Sequence, residues 1–189
     1  MKSKMMLATN GSEREENDFY ATHPSAVKLF LQRAKETNLK LNNSVWECAC
    51  GQGHISEVLK EYGYDVYSTD LINRGYGTCC DFLNNDYTEW KGDILTNPPY
   101  KLAEEFLQKG MSLLQDGNKL IMFLKVQFLE SKGRKELFDK YPPKYVYVHS
   151  ERQQCSKNAD FEQYKCTTLC FCWYVWEKGF NGEPTIRWI

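Results

Sequence analysis

No stretch of this sequence is apolar for long enough to cross a bilayer. The longest uninterrupted run, Leu169 to Trp176, is eight residues and reads as a buried strand. The first 17 residues are polar and mixed in charge and lack the apolar segment of a secretory leader, so they read as a flexible arm and the expected location is cytoplasmic, with no membrane partner. Neither sign of charge is in excess: 24 Lys and Arg against 25 Asp and Glu leave −1. That excludes a protein that holds nucleic acid by bulk positive charge, though not one with a local basic face. The eight cysteines include no C-x2-C pair, only Cys48 and Cys50, Cys79-Cys80, Cys155, Cys166, Cys170 and Cys172, so they read as structural thiols and no metal is expected. The three histidines, His23, His54 and His149, fit no catalytic triad. Proline is scarce, yet four of the six form two adjacent pairs, Pro98-Pro99 and Pro142-Pro143.

What remains is a chain that is 42% hydrophobic and 26% charged over 189 residues, enough to bury the core of a single domain, assigned to residues 18–189. Pro24 suits the first turn of a helix, and Val27, Phe30, Leu31 and Ala34 follow at helical spacing. Residues 44–48 read as a buried strand, Gly51 and Gly53 as a turn, Ile55, Val58, Leu59 and Tyr62 as a helix face, and residues 65–69 as a second strand. Strand, glycine turn, helix and strand in about 27 residues have the size of a right-handed βαβ unit. The alternation continues with strands at 77–80, 93–96, 119–124, 145–149 and 167–176, a helix at 103–114 and a charged helix at 131–140. Residues 150–165 read as a loop, and residues 185–189 as an edge strand pairing back in a hairpin. The predicted class is α/β: a mostly parallel, seven-stranded Rossmann-like sheet with helices on both faces.

Two motifs carry chemistry. The first is Glu47-Cys-Ala-Cys-Gly-Gln-Gly53, a glycine turn after a buried strand, with Asp70 at the tip of the next strand. In sheets of this kind ligands lie across the carboxyl ends of the strands, where glycines let the backbone approach and an acid accepts hydrogen bonds from ribose hydroxyls. An ordinary strand-to-helix turn remains open for a bare G-x-G. The second is Asn97-Pro98-Pro99-Tyr100, placed at the same sheet edge because two prolines end the preceding strand. The Asn97 side-chain carbonyl and the Pro98 carbonyl offer two acceptors that can converge on one amino group, and Tyr100 gives a ring for a planar group to stack on. Hydrogen bonds from both N–H groups of a conjugated amine draw it toward tetrahedral geometry and stabilise the positive charge that grows as it attacks.

In this order the motifs resemble the class I S-adenosylmethionine-dependent methyltransferases, and within them the amino-methylating DNA adenine N6 methyltransferases, in the short form found in phages and prophages. The resemblance runs from about residue 18 to the last residue and implies a Rossmann-like fold whose final long strand is antiparallel. It implies S-adenosylmethionine as cofactor, with S-adenosylhomocysteine as product. Residues Asp18 to Pro24 match the segment that closes over the methionine end of the cofactor, with Tyr20 shaping the pocket and Thr22 contacting the carboxylate. Glu47 and Gly51 line the methionine side, Asp70 the ribose, and Leu71, Asp81 and Phe82 the adenine, with Cys50 and Gly53 as further cofactor contacts, while Asn97 and Pro99 border both pockets. Asn97, Pro98, Pro99 and Tyr100 are the catalytic set.

The resemblance implies a nucleic-acid partner, DNA first, for a monomer or weak dimer. RNA bases and a protein glutamine amide are alternative substrates of the same element, and a cofactor-binding module without catalysis is a further one. Lys132, Arg134, Lys135, Lys140 and Lys144, with Arg152 and Lys157 beyond, read as a solvated face or as a grip on phosphates. Phe161 and Tyr164 read equally as loop anchors or as rings that stack on a base.

Overall fold

The computed structural model describes residues 20–153, 155–157, 159, 161 and 169–189. The chain begins with β1 (Tyr20–Thr22) and α1 (Pro24–Glu36), a helix opened by Pro24 and capped by the His23 ring, which accepts from the Ser25 N–H at 3.2 Å. Then come β2 (Ser44–Glu47), α2 (His54–Glu61), β3 (Asp65–Asp70), β4 (Thr78–Cys79), β5 (Asp93–Thr96), α3 (Ala103–Leu113), β6 (Lys119–Lys125), α4 (Lys135–Lys140), β7 (Tyr145–Val148), β8 (Cys155–Lys157), β9 (Phe171–Glu177) and β10 (Thr185–Trp188).

The main sheet, in the order β10-β7-β9-β6-β5-β2-β3-β4, has eight strands among the described residues, one more than the seven expected. Only β9 runs against its neighbours, antiparallel to both β6 and β7, so the expected antiparallel final long strand is present. It is buried on both faces from Phe171 to Trp176, which is why it reads as an unbroken apolar run. The expected hairpin at the C-terminus does not form. β10 pairs in parallel with β7, because both edges of β9 are already occupied by β6 and β7 and the free edge lies one strand further out. The stretch 150–165, expected as loop, contains β8, which pairs with β1 in a separate antiparallel ribbon (Thr22 opposite Cys155). The charged helix expected over 131–140 contracts to one 3-10 turn and the six residues of α4. The residues of the expected arm, and Tyr164, lie outside the described residues.

Helices cover both faces. Ala26, Val27, Phe30 and Leu31 of α1, with Ile55, Val58 and Leu59 of α2, bury against Val45, Leu95, Phe123 and Trp173 on one side. Phe106, Leu107 and Met111 of α3 bury against Trp46, Ile94, Met122 and Trp176 on the other. Strand order reverses between β2 and β5, where two crossovers leave in opposite directions, the position at which sheets of this kind form a ligand crevice at the carboxyl ends of their strands. Among the described residues no helix is long and apolar enough to cross a membrane.

His149, just past β7, is 8% exposed and neither ring nitrogen has a partner among the described residues. Burial pushes its pKa down to about 4 from 6.5. The unfolded chain therefore takes up a proton between those values that the folded chain refuses, and stability falls as pH drops through the window by up to about 3 kcal/mol. Urea unfolding at pH 7 and pH 4.5 is expected to show this loss in the wild type and a smaller one in His149→Leu; equal losses would remove His149 as the cause.

Candidate active site

β2 delivers Glu47 to the crevice with 1% of its surface exposed, where its carboxyl accepts from the Ser56 hydroxyl on α2. Ser56 in turn shares a 2.7 Å hydrogen bond with Ser68 on β3. Desolvation raises the Glu47 pKa to about 8. The chain then turns through Gly51 (φ 54°) and Gly53 (φ 85°), both left-handed, and Gly53 opens α2. Asp70, at the tip of β3, ties this turn down: one carboxylate oxygen accepts the Gly51 N–H at 2.8 Å and the other the Ile72 N–H at 2.9 Å. Each oxygen keeps a lone pair for a further donor. Leu71 beside it is 55% exposed, an apolar surface open to solvent.

The loop after β3 folds back over the turn. A Cβ on Gly53 would lie 2.5 Å from the Tyr76 ring, so ring and glycine are in face contact. The Tyr76 hydroxyl donates to Glu57 at 2.5 Å and accepts from Lys60 at 2.8 Å, both on α2. A side chain on Gly77 would strike the Ser68 carbonyl and the Cys50 sulfur, so this loop lies tight on the strand ends. Burial pushes the Cys50 thiol up to about 12 and keeps it protonated. Asp81 accepts from the Leu83 and Asn84 backbone and, at 2.7 Å, from the Asn84 side chain, interactions that hold its carboxyl below the usual range. Phe82 is not open to the crevice: it is 2% exposed, with its ring against Trp46 and Phe106.

β5 carries the second motif to the same edge. The Asn97 amide donates at 3.0 Å to both the Tyr20 carbonyl and the Thr22 hydroxyl, joining the segment at residues 20–22 to the proline turn. Its carbonyl oxygen, Oδ1, is buried and has no partner among the described residues. Such an acceptor costs free energy unless something donates to it. Pro98 is buried, Pro99 is exposed and its carbonyl accepts from Leu102. The Tyr100 hydroxyl lies 3.3 Å from Cys155 Sγ, and burial raises its pKa well above the ordinary tyrosine value.

The site thus brings together Tyr20, Thr22, Glu47, Cys50, Gly51, Gly53, Asp70 and Asn97 to Tyr100, from four segments of the chain. This is a Rossmann-like crevice with a carboxylate on one side of the strand-order reversal and an amide-proline turn on the other. The fold is that of the class I methyltransferases. Solved structures similar to it include a candidate RNA methyltransferase from Pyrococcus horikoshii (16% identity, TM-score 0.61, covering 85% of this chain and 87% of that one). They also include the type IIG restriction endonuclease BpuSI (12%, 0.61, 89% and 26%) and the modification subunit of a candidate type I restriction enzyme from Vibrio vulnificus (16%, 0.57, 95% and 48%). The chain spans about a quarter and about half of these last two. At such identities the likeness is one of fold. No family model matches the sequence, and no curated protein matches it.

Three contributors lie outside the motifs. Cys155 of β8 places its sulfur 3.5 Å from the Asn97 amide, and only the pairing of β8 with β1 brings it there. Tyr76 is flanked in the sequence by Gly75 and Gly77, the one signal that could have found it, and both glycines take positive φ. Lys125 ends β6 with its ammonium 5.0 Å above the Tyr100 ring centre. Of the basic run, Arg134, Lys135 and Lys144 are paired with Glu104, Asp139 and Glu177. Phe161 sits edge-on to His23 and His54, as a loop anchor does.

Proposed function

We propose that this chain is an S-adenosylmethionine-dependent N-methyltransferase acting on the N6 amine of adenine in DNA. The observation that carries the reading is the buried Asn97 Oδ1, an acceptor without a donor among the described residues, beside a carboxylate-and-glycine turn. The cofactor, when bound, supplies a methyl group activated by a sulfonium. The residues present fit it. Asp70 has lone pairs free for the ribose hydroxyls, and exposed Leu71 offers a surface for one face of the adenine. Asp81 Oδ2, which among the described residues accepts from the Asn84 amide alone, keeps a lone pair for the adenine amino group. Buried Glu47, which stays neutral to about pH 8, lies where a nearby ammonium would favour its charged form. The Thr22 hydroxyl, accepting from Asn97, keeps its proton to donate to a carboxylate.

On this reading Asn97 Oδ1 and the Pro98 carbonyl accept the two N–H bonds of the target amine, aim its lone pair along the line of displacement and stabilise the charge that develops on nitrogen. Tyr100 backs the base. No general base is required, since the proton leaves from an already cationic product. Restriction–modification proteins among the fold neighbours support DNA as the substrate.

Tritiated methyl transfer onto DNA, RNA and protein in parallel tests the reading. Label is expected in DNA, recovered on hydrolysis as N6-methyladenine. Label confined to RNA or to protein, or absent from all three, would overturn it.

A further inference from the structure

Lys125 stands on a rigid base. It is paired with Phe171 in the sheet, its carbonyl accepts from the Tyr174 hydroxyl at 3.1 Å, and the next N–H donates to the Cys170 carbonyl at 2.9 Å. Its half-buried side chain reaches out over the Tyr100 ring. A cavity of about 150 Å³ opens there, between Tyr100 and Ala103 on one side and Lys125, Gln127, Phe128 and Arg134 on the other. Two cations face this cavity, but they differ. Arg134 is neutralised by Glu104 at 3.1 Å and donates to the Phe128 carbonyl at 2.7 Å. Lys125 has no carboxylate partner among the described residues, and its contact there is the aromatic face of Tyr100. The positive charge of the cavity is therefore that of one lysine, adjacent to the catalytic turn.

We propose that Lys125 binds a backbone phosphate of the strand whose base is presented to Asn97, which makes a nucleic acid, not a protein amide, the substrate class of this site. The inference rests on the methyltransferase reading above. A ring quadrupole holds an ammonium more weakly than a full negative charge does at the same range. An arriving phosphodiester thus draws the ammonium off Tyr100, and its departure uncovers the ring face for the base. One movement fixes the backbone and opens the stacking surface. A glutamine side chain brings no charge that would trigger it.

The test uses the full chain, mixed-sequence DNA duplex and single-stranded RNA, with methyl transfer measured as kcat/KM over a range of NaCl. Losing one phosphate contact makes the log–log salt dependence shallower by about 0.9 on duplex DNA or about 0.7 on a single strand. Lys125→Met is expected to show that change with about a tenfold lower kcat/KM at low salt and unchanged affinity for S-adenosylhomocysteine, while Lys125→Arg keeps the wild-type slope. A slope change in either arm supports the role, and the arm in which it occurs identifies the strand. Wild-type transfer to nucleic acid with an unaltered slope in Lys125→Met would overturn the role of Lys125 alone. Absence of transfer to either nucleic acid would overturn this proposal together with the reading beneath it.

Discussion

Replacing Asn97 with alanine is expected to slow methyl transfer by about two to three orders of magnitude, the usual consequence of deleting one preorganised group that stabilises developing charge. Affinity for S-adenosylhomocysteine should fall far less than turnover, because the Asp70 and Glu47 sides of the crevice are untouched and only the Thr22 contact on β1 is loosened. The physical ground is the division of labour within one side chain. The amide is spent on the Tyr20 carbonyl and Thr22 hydroxyl, and only Oδ1 is left to act on a substrate. The alanine variant also releases β1, so its fold is checked by circular dichroism before rates are compared. Turnover equal to wild type would sink the assignment.

The second large effect is expected at Gly53. Alanine there meets two penalties: a left-handed backbone that costs a side-chain-bearing residue about 1–2 kcal/mol, and a Cβ driven to 2.5 Å from the Tyr76 ring. The ring has to move, and moving it strains its hydrogen bonds with Glu57 and Lys60. The loop that follows Asp70 and Leu71 shifts with it. The free variant relieves the strain by displacing the turn, and restoring the turn around the ligand then costs about 2–3 kcal/mol, an affinity for S-adenosylhomocysteine lowered by about 100-fold at about 1.4 kcal/mol for each factor of ten. Isothermal titration calorimetry reads it directly. Combining Gly53→Ala with Tyr76→Ala removes the collision and leaves the backbone cost, so the double variant should lose less than the sum of the two single losses. Strict additivity would mean that the ring and the glycine do not communicate.

Much of this was legible in the sequence, and what was not has identifiable causes. Residues 44–70 announced their βαβ unit because periodicity and turn glycines are local properties. Asn97 to Tyr100 announced their place because two prolines cannot continue a strand. The ribbon of β1 and β8 was invisible: it joins residues more than a hundred positions apart, each run is three residues long, and neither alternates strongly. Cys155 beside Asn97 depends entirely on that ribbon. The C-terminal strand was recognised, but its partner was not. A glycine-containing turn after a strand suggests a hairpin, and only knowledge that β9 is filled on both sides sends the chain on to β7. Phe82 was recognised as an aromatic at the adenine position, yet no pattern tells a ring facing a crevice from one facing Trp46.

The bond from Asn97 to β1 also works in reverse. Whatever immobilises residues 20–22 withdraws the asparagine amide from competition and presents its oxygen in a single orientation; whatever recruits that amide elsewhere lets the strand go. By thermodynamic linkage each of the two events changes the free energy of the other by the same amount, so amide hydrogen exchange in the short strand is a remote gauge of how ready the reacting turn is.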